Sequence, residues 1–303
     1  MSNGKGERKL KQKDKMMKFL AYEGRVAVTC LDSTNLVEKA RQIHDLSPLA
    51  TAALGRLLTM TAIMAAGQKG KEDRLTIQIK GNGPIGSMIA VCNQFPKIKG
   101  YVANPLVDLP LTQEGKLNVG AAVGKEGYLN VIKDMGLKEP YVGMVPLISG
   151  EIAEDFANYY VVSEQKPSAV ALGVLVDANG VKKSGGYLIS PMPDATEDDI
   201  YKIEAQIFKA GAISKMLEKE LTLEEIAKEI TGDDNLQILK EEYCPVYECD
   251  CSKEKMERAL LSLGKEELQE ILAEDGKADL TCHFCNSHYT FTKEELENLL
   301  NNI

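Results

Sequence analysis

Tryptophan is absent, histidine occurs three times, and aromatic residues make up 6% of the 303 positions. The missing indole removes one common stacking residue for bases, although tyrosine and phenylalanine remain. Basic charge is also short. Lys and Arg total 36 against 45 Asp and Glu, leaving a formal net charge of −9. A general nucleic-acid binder needs the opposite balance. No uninterrupted apolar run reaches the length of a membrane span. No G-x-x-x-x-G-K-[ST] stretch occurs, so the phosphate cradle of P-loop nucleotide hydrolases is missing. The basic start, residues 5–18, meets few apolar residues before Glu23 and Arg25, so no secretory leader is expected there. Cysteines without an export signal point to a reducing, cytoplasmic setting. The length suffices for two domains, with room for one well-buried core.

What is present is a cluster near the end. Four of the seven cysteines fall in two short pairs, Cys249-Asp250-Cys251 and Cys282-His283-Phe284-Cys285, thirty residues apart. Each pair offers two sulfurs from one tight turn, and a helix-length spacer can fold back to join the pairs. That is the pattern of a tetrahedral tetrathiolate zinc site, with the departure that the first pair is C-x-C where zinc ribbons use C-x-x-C. Scattered core thiols would not pair in this way. A zinc ion with four thiolates keeps no position open for water or substrate, so the site is expected to be structural. Thiolates are also the oxidisable form of cysteine. At this point the cluster reads equally as a staple or as a redox switch.

The rest of the chain falls into three segments. Residues 1–190 are expected to form an α+β core with mostly antiparallel sheet and packed helices. The first twenty or so residues read as a basic, weakly ordered arm. Residues 25–30 alternate as a strand, in which Cys30 is a small core residue. Asn35 with Glu38 marks a helix start, and that helix should run to His44, a capping or packing residue. Ser47-Pro48 opens a second helix that reaches Gly67 and is rich in small and apolar residues, the central buried helix of the core. Residues 75–80 alternate as a strand, and Gly81-Asn82-Gly83-Pro84-Ile85-Gly86 follows. These six match G-x-G-x-x-G, but the dinucleotide fingerprint requires a helix next, and residues 87–92 read as another strand. A β-hairpin is the better reading. Strands are expected at 98–102, 117–123 and 128–133, a helix opening at Gly150-Glu151, and strands at 169–176 and 187–189 joined through Asn179-Gly180.

Pro191-Met192-Pro193 marks a boundary. Residues 191–242 are expected to form an acidic helical linker. Within 194–242 there are 14 Asp and Glu against 6 Lys, yet apolar stripes such as Ile203-Ile207, Met216-Leu217 and Ile226-Ile230 recur at helical spacing. The bland alternative is an ordinary connector with a solvated face. Dense like charge should make its folded form marginal. Residues 243–303 are expected to be a small zinc-binding domain, with helices from Ser252, around Leu268, and at the end.

These blocks together resemble the heat shock protein 33 family of bacterial redox-regulated holdase chaperones. The resemblance runs over nearly the whole length. It is carried by His44-Asp45-Leu46-Ser47-Pro48, Gly81 to Gly86, Lys99-Gly100-Tyr101, Ser149-Gly150-Glu151-Ile152-Ala153-Glu154-Asp155, Ser163-Glu164-Gln165, Gly185-Gly186 and the two cysteine pairs. It implies an ATP-independent chaperone of the stress response that is not an enzyme and has no catalytic residues. It implies Zn2+ on Cys249, Cys251, Cys282 and Cys285, with no other cofactor. Oxidants would form a disulfide within each pair, release zinc, and unfold the zinc domain and linker. The active form would be a homodimer holding unfolding client proteins, with neither nucleic acid nor membrane as partner. Cys244, His283 and His288 are expected to be bystanders.

Two other classes compete. A nucleic-acid module on a zinc ribbon would need a basic, aromatic face near the cysteines, whereas residues 252–280 mix Lys with many Glu and Asp. A thiol–disulfide oxidoreductase would need C-x-x-C at a helix start in a βαβ unit, and a zinc hydrolase would need an open metal position.

Overall fold

In the computed structural model, residues 13–68, 70 and 72–301 are described, without the side chains of 240–242. The chain divides into two units, Met1–Tyr247 and Glu248–Ile303.

The first unit starts with β1 (Lys15–Ala21) and β2 (Val26–Asp32), then α1 (Thr34–His44), α2 (Pro48–Ala65), β3 (Arg74–Lys80), β4 (Ser87–Gln94) and β5 (Lys97–Val102). A short α3 (Val119–Val123) precedes β6 (Tyr128–Asp134), β7 (Tyr141–Pro146), α4 (Ala153–Val162), β8 (Ala169–Asp177) and β9 (Gly180–Pro191). Helices α5 (Glu197–Ala210), α6 (Ile213–Glu218) and α7 (Leu223–Thr231) lead to β10 (Gln237–Tyr243) and β11 (Val246–Tyr247). Two sheets result, ordered β10-β1-β2-β9-β8 and β11-β5-β4-β3-β6-β7. Every pairing is antiparallel except β11 with β5. The expected α+β class and mostly antiparallel mixed sheet are therefore what the chain forms.

Helix α2 is the centre. Ser47 caps it, its Oγ accepting from Ala50 N at 3.1 Å. It packs on β8 and β9 of one sheet and β4 and β5 of the other. Among the described helices it alone is long and apolar enough to cross a membrane, but here it is the buried core helix. A second core lies between the five-stranded sheet and α5–α7. Phe19, Val28, Tyr187 and Ile189 from the sheet meet Ile203, Met216, Leu217, Ile226 and Ile230 from the helices. The apolar stripes of the acidic segment thus pack into this core, whereas Asp199 is buried and most of the other described charges of the segment are exposed. Capping boxes at Thr196/Asp199 and Thr222/Glu225 start α5 and α7, and acidic residues fill both first turns, where the helix dipole favours them.

Several local expectations are corrected. Residues 15–20, read as part of a loose arm, form β1, because Met16 and Phe19 are fully buried and the strand pairs with β2. Residues 1–12 of that arm lie outside the described residues. The strand expected at 117–123 is instead α3, where the Asn118 side chain caps Ala121 N and small residues let the turn close. Helix α1 is not capped by Asn35. Its first amides are met by Asp14, whose carboxylate accepts from Asn35 N at 2.8 Å and Leu36 N at 2.7 Å. The helix expected from Gly150 begins at Ala153, because Asp155 turns back to accept from Ile148 N, Ser149 N and Ile152 N. The last residues of the acidic segment form β10 rather than helix, pairing with β1.

The six residues 81–86 do close the β3–β4 hairpin, as read. Their amides are already in use: Gly83 N donates to Val123 O at 2.9 Å and Ile85 N to Ala122 O at 3.0 Å. A Cβ on Gly83 would lie 2.3 Å from Ala122 O. Close backbone packing, not a phosphate, explains these glycines.

The second unit holds α8 (Lys253–Leu261), α9 (Lys265–Glu274), β12 (Ala278–Thr281), β13 (His288–Phe291) and α10 (Lys293–Asn301). β12 and β13 form an antiparallel hairpin. The core is small. Among the described residues it comprises buried Leu260, Leu268, Ala278, Phe291 and Leu296, flanked by partly buried residues including Leu280 and Tyr289.

Candidate metal centre

The second cysteine pair sits at the tip of the β12–β13 hairpin. Cys282 N donates to Ser287 O at 2.9 Å, and Asn286 N donates to Cys282 O at 2.8 Å. Asn286 takes φ 57°, a left-handed conformation that asparagine tolerates better than most residues. The chain therefore doubles back tightly enough to aim both sulfurs to one side. The first pair precedes α8. Ser252 caps that helix, its Oγ accepting from Lys255 N at 3.3 Å, and Asp250 pairs with Lys255 Nζ at 2.5 Å.

All four sulfurs lie within 4.8 Å of one another. Cys249 and Cys282 Sγ are 3.8 Å apart, and Cys251 and Cys285 Sγ are 3.3 Å apart. Zn–S bonds of about 2.3 Å in a tetrahedron set the sulfurs about 3.8 Å apart, so the donor set fits such an ion. Four soft sulfur donors favour zinc or a similarly thiophilic ion over calcium or magnesium.

The surroundings also suit thiolates. The backbone amides of Cys251, Phe284 and Ser287 hydrogen-bond to the sulfurs of Cys249, Cys282 and Cys285. Ser287 Oγ lies 3.2 Å from Cys285 Sγ, and Tyr289 Oη lies 3.0 Å from Cys251 Sγ. Burial raises the thiols of Cys249 and Cys282. Burial opposes ionisation at Cys285 too. There the hydroxyl and amide of Ser287, with the neighbouring Cys251 and Cys249, outweigh it and bring the thiol down to about 7.

The cluster contains none of Cys244, His283 and His288. Cys244 belongs to the first unit. His288 Nδ1 lies 2.9 Å from Thr281 Oγ1, across the hairpin. Cys30 and Cys92 are buried in the first unit, and burial pushes both thiols up, that of Cys92 to about 11. His44 is a packing residue, its Nε2 3.0 Å from Tyr247 Oη. The C-x-x-C occupies a hairpin turn rather than a helix start, which removes the geometry of a thiol–disulfide oxidoreductase. Ser287 and Tyr289 were not legible as site residues. Their offsets of two and four from Cys285 became informative only with the hairpin register.

The fold has close counterparts. A family model described as Hsp33 protein matches residues 14–292. The 33 kDa chaperonin of Caldanaerobacter subterraneus subsp. tengcongensis is 48% identical over 290 residues, covering 95% of this chain and 98% of that protein. The 33 kDa chaperonin of Clostridium perfringens is 47% identical, covering 95% and 90%. The crystal structure of the 33 kDa chaperonin from Thermotoga maritima superposes with a TM-score of 0.85 at 39% identity, over 95% of this chain and 98% of that one. The class is that of chaperones with an α+β fold and a cluster of four cysteines. This chain belongs to the Hsp33 family.

Proposed function

We propose that this chain is an ATP-independent holdase switched by the redox state of Cys249, Cys251, Cys282 and Cys285. The observation that carries the reading is the gathering of four thiols at the one unit of the chain with little core of its own. A small unit of this kind depends on a staple. Zn2+ on the four thiolates cross-links the C-x-C segment to the hairpin when bound. Structural zinc contributes about 10–16 kcal/mol in small peptides, as much as the whole stability of a domain.

Oxidation removes the ligands. Within each pair two thiolates would lose two electrons as one S–S bond forms, joining Cys249 to Cys251 and Cys282 to Cys285, and the metal ion would be left without those ligands. Hydrogen peroxide would accept the two electrons, take two protons from solvent and leave as two waters. The unit then loses its staple and unfolds. The acidic segment, 191–242 as a functional linker between the 1–190 core and the 243–303 switch, follows. Its release uncovers Phe19, Val28, Tyr187 and Ile189, apolar surface of the kind that binds non-native chains. The working form is a homodimer in the cytoplasm, its partners are unfolding proteins, and it neither catalyses a reaction nor binds nucleic acid or membrane.

Light scattering from a heat-unfolding client tests this. Oxidised protein should suppress aggregation and reduced, metal-loaded protein should not. Retention on heparin at moderate salt, or turnover of a dithiol substrate, would favour the competing classes instead.

A further inference from the structure

The outer face of the thiol cluster is uneven. Tyr289 lies on β13 opposite Leu280 of β12, with its ring partly buried against the small core of the second unit. Its hydroxyl reaches out of the hairpin to Cys251 Sγ, 3.0 Å away, on the segment that precedes α8. Cys285 has a hydroxyl neighbour as well, Ser287, but that one belongs to its own turn. Tyr289 is therefore the hydroxyl that links one cysteine pair to the other.

A metal-bound cysteine carries no proton, so the phenol must be the donor in that hydrogen bond. We propose that Tyr289 is a positioning residue of the metal centre. Its O–H donates to the Cys251 thiolate and holds the C-x-C segment in register with the hairpin. This rests on the reading of the four cysteines as metal ligands. Two consequences follow. The bond fixes the direction of the Cys251 sulfur, as outer-shell partners do for ligands generally. It also withdraws electron density from that sulfur, since a charge-assisted hydrogen bond stabilises the thiolate lone pairs.

The test uses the full chain loaded with Co2+ in place of zinc. Y289F keeps the ring and its packing but removes the donor. L280A weakens the same hairpin at the residue facing Tyr289 without touching a sulfur. Metal affinity is measured by competition with a chromogenic chelator, and the thiolate-to-cobalt charge-transfer band is recorded in the near ultraviolet. Y289F should bind Co2+ and Zn2+ about 10-fold or more weakly, and its band should move to longer wavelength as the sulfur lone pairs rise. L280A should leave the band in place. An unmoved band in Y289F overturns the role, whether its affinity is unchanged or falls only as far as that of L280A. Wild-type protein that takes up no cobalt overturns the ligand set along with it.

Discussion

Arg25 grips Asp199 through two parallel hydrogen bonds, Nε to Oδ2 at 2.8 Å and Nη2 to Oδ1 at 3.1 Å. The same carboxylate closes the capping box of α5, accepting from Thr196 N at 3.0 Å and Thr196 Oγ1 at 2.8 Å. One buried aspartate thus both starts the first acidic helix and ties it to the loop before β2. Asp233 makes a second tie beyond α7, its carboxylate accepting from Tyr22 N at 2.7 Å just after β1, so the Arg25–Asp199 pair is the clasp of α5 in particular.

Asp199→Asn should loosen the clasp. Bidentate, charge-assisted bonds of this kind contribute about 1.5–3 kcal/mol each at most. Amide exchange in residues 197–210 at pH 7 should accelerate roughly ten- to a hundredfold, while α2 keeps its protection. Acid should act in the same direction. The hydrogen bonds from Arg25 first, and then from Thr196, hold the Asp199 carboxyl well below the usual carboxylate range. A depressed carboxyl stabilises the fold fully above its unfolded pKa of about 4, and that stabilisation fades as pH falls below it. Wild-type α5 should therefore loosen below about pH 4, and Asp199→Asn should lose most of that dependence. Unchanged exchange in the variant would remove the clasp.

Limited proteolysis reads the proposed linker directly. Oxidised protein should be cut between about 194 and 245 and leave a resistant core, whereas reduced protein should resist there. Identical digestion patterns would take the acidic segment out of the switch.

Gly83→Ala should destabilise the first unit by roughly 1–3 kcal/mol, the usual cost of forcing atoms into a packed site. The added Cβ meets backbone atoms of Ala122 and Val123, which cannot rotate away. The midpoint of chemical denaturation checks this. An unchanged midpoint would mean that the turn and α3 are not interlocked as described.

Cys282 and Cys285 replaced together by Ser should weaken metal binding and loosen the second unit with no oxidant present. Serine has nearly the shape of cysteine but is neither a thiolate ligand nor able to form a disulfide. If lost metal-coupled folding is the trigger, the double variant should hold clients partly while reduced. Full inactivity in both states would make disulfide formation itself the trigger.

Much of this architecture could be read from residue order, and the reasons for the failures are specific. Ser47-Pro48 and the small-residue run to Ala66 announced α2, because capping and packing are both local. The cysteine pairs announced the four-thiol cluster, because ligand spacing is itself the signal. β1 was hidden by its lysines: KMMKFLA looks like a basic arm until Met16 and Phe19 are seen buried. β10 was hidden by Lys and Glu in QILKEEY, residues that favour helix until β1 supplies an edge to pair with. α3 was misread because five small and branched residues carry no period. Asp14 on α1, Arg25 on Asp199 and Tyr289 on Cys251 are long-range contacts that only tertiary register creates.

The most direct test of the central claim follows metal and activity in one sample. Reduced protein is loaded with zinc and then treated with hypochlorous acid, or with peroxide and heat. Released zinc is read with a chromogenic chelator while aliquots are assayed for suppression of client aggregation. The account predicts one zinc per chain at the start with no suppression, and suppression that rises with zinc release and reverses on reduction with zinc restored. Equal suppression before and after oxidation, or full release of zinc with no gain in activity, would contradict it and leave the four cysteines as a structural staple.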